Sequence, residues 1–512
     1  MKHAPLSLAA FTLFPLAAAA DVTPQDVWAN MSTAMNAMGA EVTADVAEDG
    51  ATMTVSDMVA RFTFPNDTGS FEMHMGDMVL TGRDDGTVLI ELPASQDMTF
   101  GGELTGEGGF SATMRMDTPN YLTTATGEPG DVTYHYELDE YDMTFTGLEL
   151  TGDAAEEMGT PGITGTMRFE GMKGFYRIWG EDVVRMSMRG TMETGAFDMG
   201  FSFTSPDGDT VTQTNTATMG AMESSAEVAI PQGTSVMALG QALRDGLMVS
   251  YEYRLESQES RQEQTMNGEP MGSQSAVYGM TDGSLGFSAD GLNLTGRVEG
   301  YEMEMFQPMI VPMPLQFAIA AADGSMSMPV LSSEEAVDSH VRLNFEGLTI
   351  GDSLWGMFDP AGQLPRDPAQ LVVDMTAKVK LLFDMVDYEQ LVALEDSDEV
   401  PAEVSEVGIS EIRLNAVGAD LMATGGFTLD NSDLETFGGF PATDGAATVT
   451  LKGFDALLDT LIGMGLVPED QAGMARMMLG GFAQKDDEGT YSSEIVIDGE
   501  TGQISANGQR IR

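Results

Sequence analysis

A chain of 512 residues with 81 acidic and 23 basic side chains carries a formal charge of −58. It lacks the Lys and Arg needed to grip a phosphate backbone or an anionic membrane surface, which excludes nucleic acid as a partner. Its 42% hydrophobic content supports a real core despite the acidity, and its length calls for two or three domains or an elongated repeat. Cysteine is absent, which excludes disulfides, thiol catalysis and a lipidated N-terminal cysteine. The acids are dispersed and Lys is rare, a surface suited to salty water that screens the repulsion.

The first segment reads as a secretory signal peptide, residues 1–20. Lys2 supplies a basic start, Leu6 to Ala17 an apolar run, and Ala18-Ala19-Ala20 a small-residue cleavage site before Asp21. The expected location is periplasmic. No later stretch reaches the roughly 18 apolar residues of a membrane span, so no integral membrane segment is expected after cleavage. Thr23-Pro24 opens a helix through about Met38, with Val27, Met31, Ala34, Met35 and Met38 on one face and Gly39 as the stop.

From there the dominant period is two. Alternation marks Tyr134–Leu150, Met167–Ile178, Met186–Phe203, Val249–Leu255, Leu292–Met305, Val341–Ile350 and Ser492–Ile497 as strands. A second helix is predicted over Val236–Arg244. Ser257–Ser275 is polar without apolar periodicity and reads as a long hairpin tip or mobile loop. Phe306–Pro314 holds three prolines and must be non-regular or a sheet edge.

Gln370–Val386 alternates most strictly. Its odd positions from Leu371 to Met385 are all apolar, while Asp374, Thr376, Lys378, Lys380 and Asp384 fall on a wet face. Phe454–Met464 and Pro468–Phe482 form a closing helix pair, with Pro468 suited to a first turn. Asp-Gly pairs from Asp49-Gly50 to Asp498-Gly499, with Asn-Gly at 267 and 507, supply hairpin turns. The fold class is therefore mainly β: antiparallel meanders forming large curled sheets, with a few short helices. Both early helices pass through Gly into a strand. That pattern suggests related halves, 21–230 and 231–512, the second closed by the helix pair at about 453–482.

Few constellations carry chemistry. Gly351-Asp352-Ser353-Leu354 spells a GDSL-hydrolase block, but no histidine follows His340 to act as its base. Its simpler reading is a turn that caps a helical turn through Trp355. Forty-one methionines include Met-x-Met at 73/75, 114/116, 186/188, 303/305 and 326/328. Thioether clusters suit Cu(I), and Met73-His74-Met75 with Met78 is the best local candidate. On a strand, however, His74 points away from Met73 and Met75, and Met-x-Met is also core patterning. Asp430-Asn431-Ser432-Asp433-Leu434-Glu435 offers oxygen ligands but lacks EF-hand spacing, and reads as a solvated turn. No phosphate loop, zinc-protease helix or dinucleotide fingerprint is present.

Several stretches resemble an exported alphaproteobacterial family of unknown function. They are Asp26-Val27-Trp28, Trp355 to Pro360 with Leu364 to Pro368, Gly438 to Pro441, Met464 to Leu466, and Asn507 to Arg510. This likeness spans most of the chain after residue 20 and supplies no site residues. The closing order of strand, helix pair and strands is also similar to AsmA-like envelope proteins. Their curled sheets are associated with lipid transport or outer-membrane homeostasis, although this chain is more acidic and lacks their membrane anchor.

The expected function is a soluble, non-enzymatic periplasmic protein that uses no cofactor. It would bind an apolar or amphipathic envelope component along a curled sheet, with lipid or an envelope protein as partner. Leu371, Val373, Met375, Val379, Leu381, Phe383 and Met385 are the candidate groove residues. The rivals are a structural or assembly partner in the envelope and a periplasmic copper binder. N-terminal sequencing of exported protein should begin at Asp21; an intact Met1 on membrane-bound material would defeat the compartment reading.

Overall fold

The computed structural model describes residues 21–64, 68–105, 108–152, 162–205, 208–233, 238–309, 311–387, 394 and 400–511. The expected signal peptide lies outside them. The chain is 64% strand and 11% helix, mainly β as the alternation requires. All described strands belong to one sheet.

The topology is a meander in which each ribbon bonds to the ribbons before and after it in the chain. It starts with Glu41–Asp49 against Thr52–Thr63 and ends with Gln503–Ala506 against Gln509–Arg510. Many ribbons consist of two strands laid end to end. Val183–Met192 and Thr194–Thr204 both run along Gly162–Trp179. Met222–Pro231 and Thr210–Met219 run along those two in turn. The run read as Met186–Phe203 is thus one ribbon with a break at Glu193.

These breaks have a common cause. Apolar positions normally recur every second residue, but each long ribbon slips once to a step of three. The pairing places the slip between Phe169 and Met172, Met192 and Gly195, Met219 and Met222, Leu255 and Gln258, and Val298 and Tyr301. Gly171, Gly300 and Gly347 stand at such slips with φ of 62°, 68° and 72°, values that suit glycine. An extra residue bends a strand. Because the slips fall side by side, they form a crease that divides the sheet into two facets while keeping its apolar side chains on one face.

The core lies on one facet. The helix Pro24–Ala37 starts with a capping box, in which Thr23 and Asp26 bond each other's backbone N–H. It lays Val27, Ala34 and Ala37 on Val55, Leu80, Val88, Ile90, Val132 and Val184. Tyr134 is fully buried and stacks on Tyr176 at 4.4 Å. Its hydroxyl donates to Asn30 Oδ1 at 2.8 Å, and Asn30 Nδ2 donates to the Ile178 carbonyl at 3.2 Å. Burial pushes the Tyr134 phenol far above its usual range. A second helix, Leu239–Arg244, adds Ala242 and Leu243 to the same core. The first residues expected in this helix, 236 and 237, are outside the described set.

The sheet runs unbroken past Pro231, since Met222–Pro231 pairs with Met248–Leu255. The polar 257–275 stretch, expected to be a hairpin tip or mobile loop, is instead two regular strands of the sheet, Gln258–Met266 paired with Glu269–Tyr278 and turning at Asn267-Gly268, because neighbouring ribbons on both sides satisfy its backbone. Pro312 and Pro314 lie within Val311–Met328, before that strand's pairing with Val337–Ile350 begins at Phe317. They therefore sit at a local edge, where a missing N–H costs nothing.

The strand at 370 also needs correction. It covers Ala369–Leu381 and stops there, so Phe383 and Met385 leave the ladder. Asp384, read as a wet-face residue, is instead buried. Arg244 clasps it with two bonds of 2.5 and 2.7 Å, and the Ser332 amide and hydroxyl donate at 2.8 and 2.7 Å. Bonding to Arg244 holds the Asp384 carboxyl down at about 2, against the opposing pull of burial. The alternation continued past Leu381 only by coincidence, because the clasp fixes a turn.

A lowered carboxyl stabilises the fold fully above its unfolded value near 4 and loses that effect as pH falls towards 2. Asp384→Asn should therefore cost about 2 kcal/mol in urea unfolding at pH 6. The gap from wild type should close as the pH approaches 2. A gap that stays constant with pH would mean that the clasp is not the cause.

Candidate functional site: an open apolar sheet face

The alternation leaves one face of the sheet apolar and the other polar across nearly every ribbon. On one facet Phe71, Phe100 and Ala112 follow in adjacent ribbons, then Phe145, Met167, Phe197 and Ala217. On the other, Val228, Val249, Phe287, Leu292 and Met328 do the same. The ladder continues through Leu343, Val373, Ile412, Ala423 and Val449. Arg and acid pairs occupy the opposite face, such as Arg168 with Asp142 and Arg413 with Asp420.

Only parts of the apolar face are covered. The helix Pro24–Ala37 covers the early ribbons. At the other end, Phe454–Gly463 and Glu469–Phe482 form the expected helix pair. Phe454 meets Tyr491 edge-on at 6.0 Å, and Ser493 Oγ donates to the Phe482 carbonyl. Between these covers the face is open. Leu343 is 44% exposed, Leu371 36% and Leu414 45%, and on the other facet Phe110 is 42% and Phe201 40% exposed. Of the candidate groove residues, Leu371, Val373, Met375, Val379 and Leu381 share the apolar face of Ala369–Leu381. Leu381 is buried, and the others are exposed or half-buried.

Under the first helix this face forms a solvent-open cavity of about 430 Å³. Met31, Met35 and Met38 line it from the helix, Met58, Met75 and Met78 from two early ribbons, and Met186 and Met188 from a later one. Tyr176, Ile178 and Val228 complete an apolar wall. Helical spacing put the first three on one side, Met-x-Met marked Met75, Met186 and Met188, and Met78 stood beside the first of these pairs, whereas no sequence signal singled out Met58. Sequence reasoning found these signals separately, but not their convergence, which depends on pairing between distant ribbons. Of the copper candidate, Met75 and Met78 enter the cavity, whereas His74 turns to the polar face beside Glu72 at 3.4 Å.

Other sequence candidates resolve into structure. Ser353 lies in the helix Asp352–Phe358 behind Gly351, with no side-chain cap bond. His340 Nε2 meets Asp374 at 3.1 Å, a carboxylate shared with Arg342 and held below its usual range chiefly by that arginine. Asp430 accepts from the Ser432 amide and hydroxyl, and Asp433 from the Glu435 and Thr436 amides, as turn residues do. Among the described residues no three His, Asp or Glu side chains converge as a metal-binding group. No helix among them is long and apolar enough to cross a membrane.

The fold defines a mainly β protein whose described strands join one antiparallel sheet, with helices on its apolar face near both ends. Residues 254–507 match the family described as Uncharacterized protein conserved in bacteria (DUF2125). The match takes in the likeness from Trp355 to Leu466 and ends at Asn507, leaving Asp26-Val27-Trp28 outside. Neither the curated proteins nor the solved structures return a match.

If the face is open in solution, truncation will cost little there. Leu371→Ala and Leu414→Ala should each lower stability by less than about 1 kcal/mol. Leu80→Ala, under the helix, should cost about 2–5 kcal/mol. Equal losses in urea unfolding would show that the face is covered.

Proposed function

We propose that the protein is an exported, non-enzymatic carrier that holds the acyl chains of an envelope lipid along its apolar sheet face. The observation behind this reading is the open apolar ladder that ends in an apolar, methionine-lined cavity. Its volume lies within the 300–1,000 Å³ or so typical of small-ligand sites.

The choice of occupant follows from hydrogen bonding. The sheet's backbone groups are spent in its own ladder, and the ladder and cavity walls are largely hydrocarbon and thioether. An extended peptide on this face would bring N–H and C=O groups without partners, each expensive to dry. An acyl chain brings none. Unbranched, polarizable methionine suits a chain that can adopt many shapes. The charge of −58 disfavours anionic head groups. An assembly role in the envelope would instead need a protein partner satisfying those same backbone groups.

The eight thioethers also favour a second reading, Cu(I) binding, and one experiment separates the two. Native mass spectrometry of protein recovered from the periplasm should show lipid adducts. Met188→Trp, which fills the cavity mouth, should reduce them several-fold. Bare protein, or stoichiometric copper without lipid, would overturn the carrier reading.

A further inference from the structure

The longest polar interruption of the apolar ladder is a block of carboxamides. Where Thr210–Met219, Gln258–Met266 and Glu269–Tyr278 lie side by side, the same face carries Gln213, Asn215, Gln262, Gln264 and Gln274. The register pairs Gln213 with Gln264, Asn215 with Gln262, and Gln262 with Gln274. Gln264 Nε2 donates to Gln213 Oε1 at 3.0 Å, and Gln213 Nε2 donates to Asn215 Oδ1 at 3.2 Å. Three ribbons and one two-residue step span about 10 by 7 Å.

The array is flanked by the apolar ladder. Phe201 and Met199 adjoin it on one side, and Met305 on the other. Tyr278 and Tyr301, whose ring centroids are 4.9 Å apart, lie on the same face about 13 Å along the strand from Gln274, beyond Ala276. Glu259, Arg261 and Glu263 alternate onto the opposite face, as do Glu302 and Glu304. In a chain with 81 acids, this face therefore carries carboxamides and no charge at the array.

We infer that this array is the seat of the lipid's head group, and that the head group is uncharged and hydroxyl-rich, of the glycosyl class. The inference rests on the carrier reading. Each carboxamide both donates and accepts, which matches hydroxyls that do the same. Tyrosine rings present an apolar body with a polar tip, suited to the C–H face of a pyranose. A phosphate or carboxylate head would find no cation on this face and would meet the field of the acids. An ammonium head would find no carboxylate within the array, the nearest on this face being Glu269, opposite Met266 at the hairpin end. The array's area fits one or two sugar rings.

The test uses the full chain without its signal segment and three probes sharing a dodecyl chain: dodecyl maltoside, dodecylphosphocholine and laurate, each titrated calorimetrically below its micelle concentration. Wild type should bind the maltoside at least 10-fold tighter than the other two. Replacing both members of a bonded pair by similar apolar shapes is nearly neutral for folding, so the variant is Gln213→Leu with Gln264→Leu. A second, independent variant is Gln262→Leu with Gln274→Leu. Each should reduce the maltoside preference at least 5-fold without weakening laurate. Equal wild-type affinities, or a preference that survives both variants, would overturn the head-group assignment and leave the carrier reading intact. Failure of wild type to bind any of the three would overturn the carrier reading, and this inference with it.

Discussion

Every ribbon of this sheet bonds to its neighbours in sequence, and that constraint governs the rest of the molecule. Among the described residues all strands join one sheet, with no separate sheet packed on its apolar face. Cover has to come from helices, and the described helices are few and short. Pro24–Ala37 and the pair Phe454–Gly463 and Glu469–Phe482 close the two ends. The middle keeps its Leu and Phe side chains in water, an arrangement with a cost unless something else occupies the face. The free edge is managed differently: Glu41–Asp49 carries Glu41, Asp45, Glu48 and Asp49, charges that oppose pairing with another chain.

The crease solves a second problem. A long flat ribbon would twist away from its neighbours over its length. One extra residue per ribbon, aligned across the sheet, changes direction without moving any apolar side chain to the wet face. A slip of one residue alone would exchange the faces; a step of three combined with the bend preserves them. Methionine fits such a surface because its flexible side chain follows a changing backbone better than a branched one.

Charge and hydrocarbon are thereby separated by the period of the strand. The Arg–acid pairs of the polar face are mostly exposed, and such pairs contribute little individually. The buried exception is the Arg244–Asp384 clasp, which joins the second helix to the turns at Ser332 and Asp384. At the far end Asp455 plays a similar part, accepting from Lys485, the Tyr491 hydroxyl and Arg476. The bond from Lys485 is the main reason its carboxyl sits below the usual range.

The strands marked by strict alternation from Tyr134 onwards, the first helix with its Thr23 cap and Gly39 stop, the closing helix pair and the apolar face of Leu371 to Leu381 were legible in the sequence, whereas the ribbons before Tyr134 and the polar strands Gln258–Met266 and Glu269–Tyr278 were not. Each is a local matter of side-chain period, capping and turn chemistry, and those act within a few residues. The sequence pattern ran past the truth at Phe383 and Met385, because alternation is blind to a turn imposed by an arginine 140 residues away. It also could not show that the second helix and the first share one core, or that no second sheet lies over the apolar face. Nor could it bring Met31, Met58, Met75 and Met186 around one cavity, or Gln213, Gln262 and Gln274 into one patch. Those depend on which ribbon lies beside which and in what register. Sequence determined which side chains share a face; tertiary pairing decided what that face encloses, because convergence is set by long-range hydrogen bonding that no local period encodes.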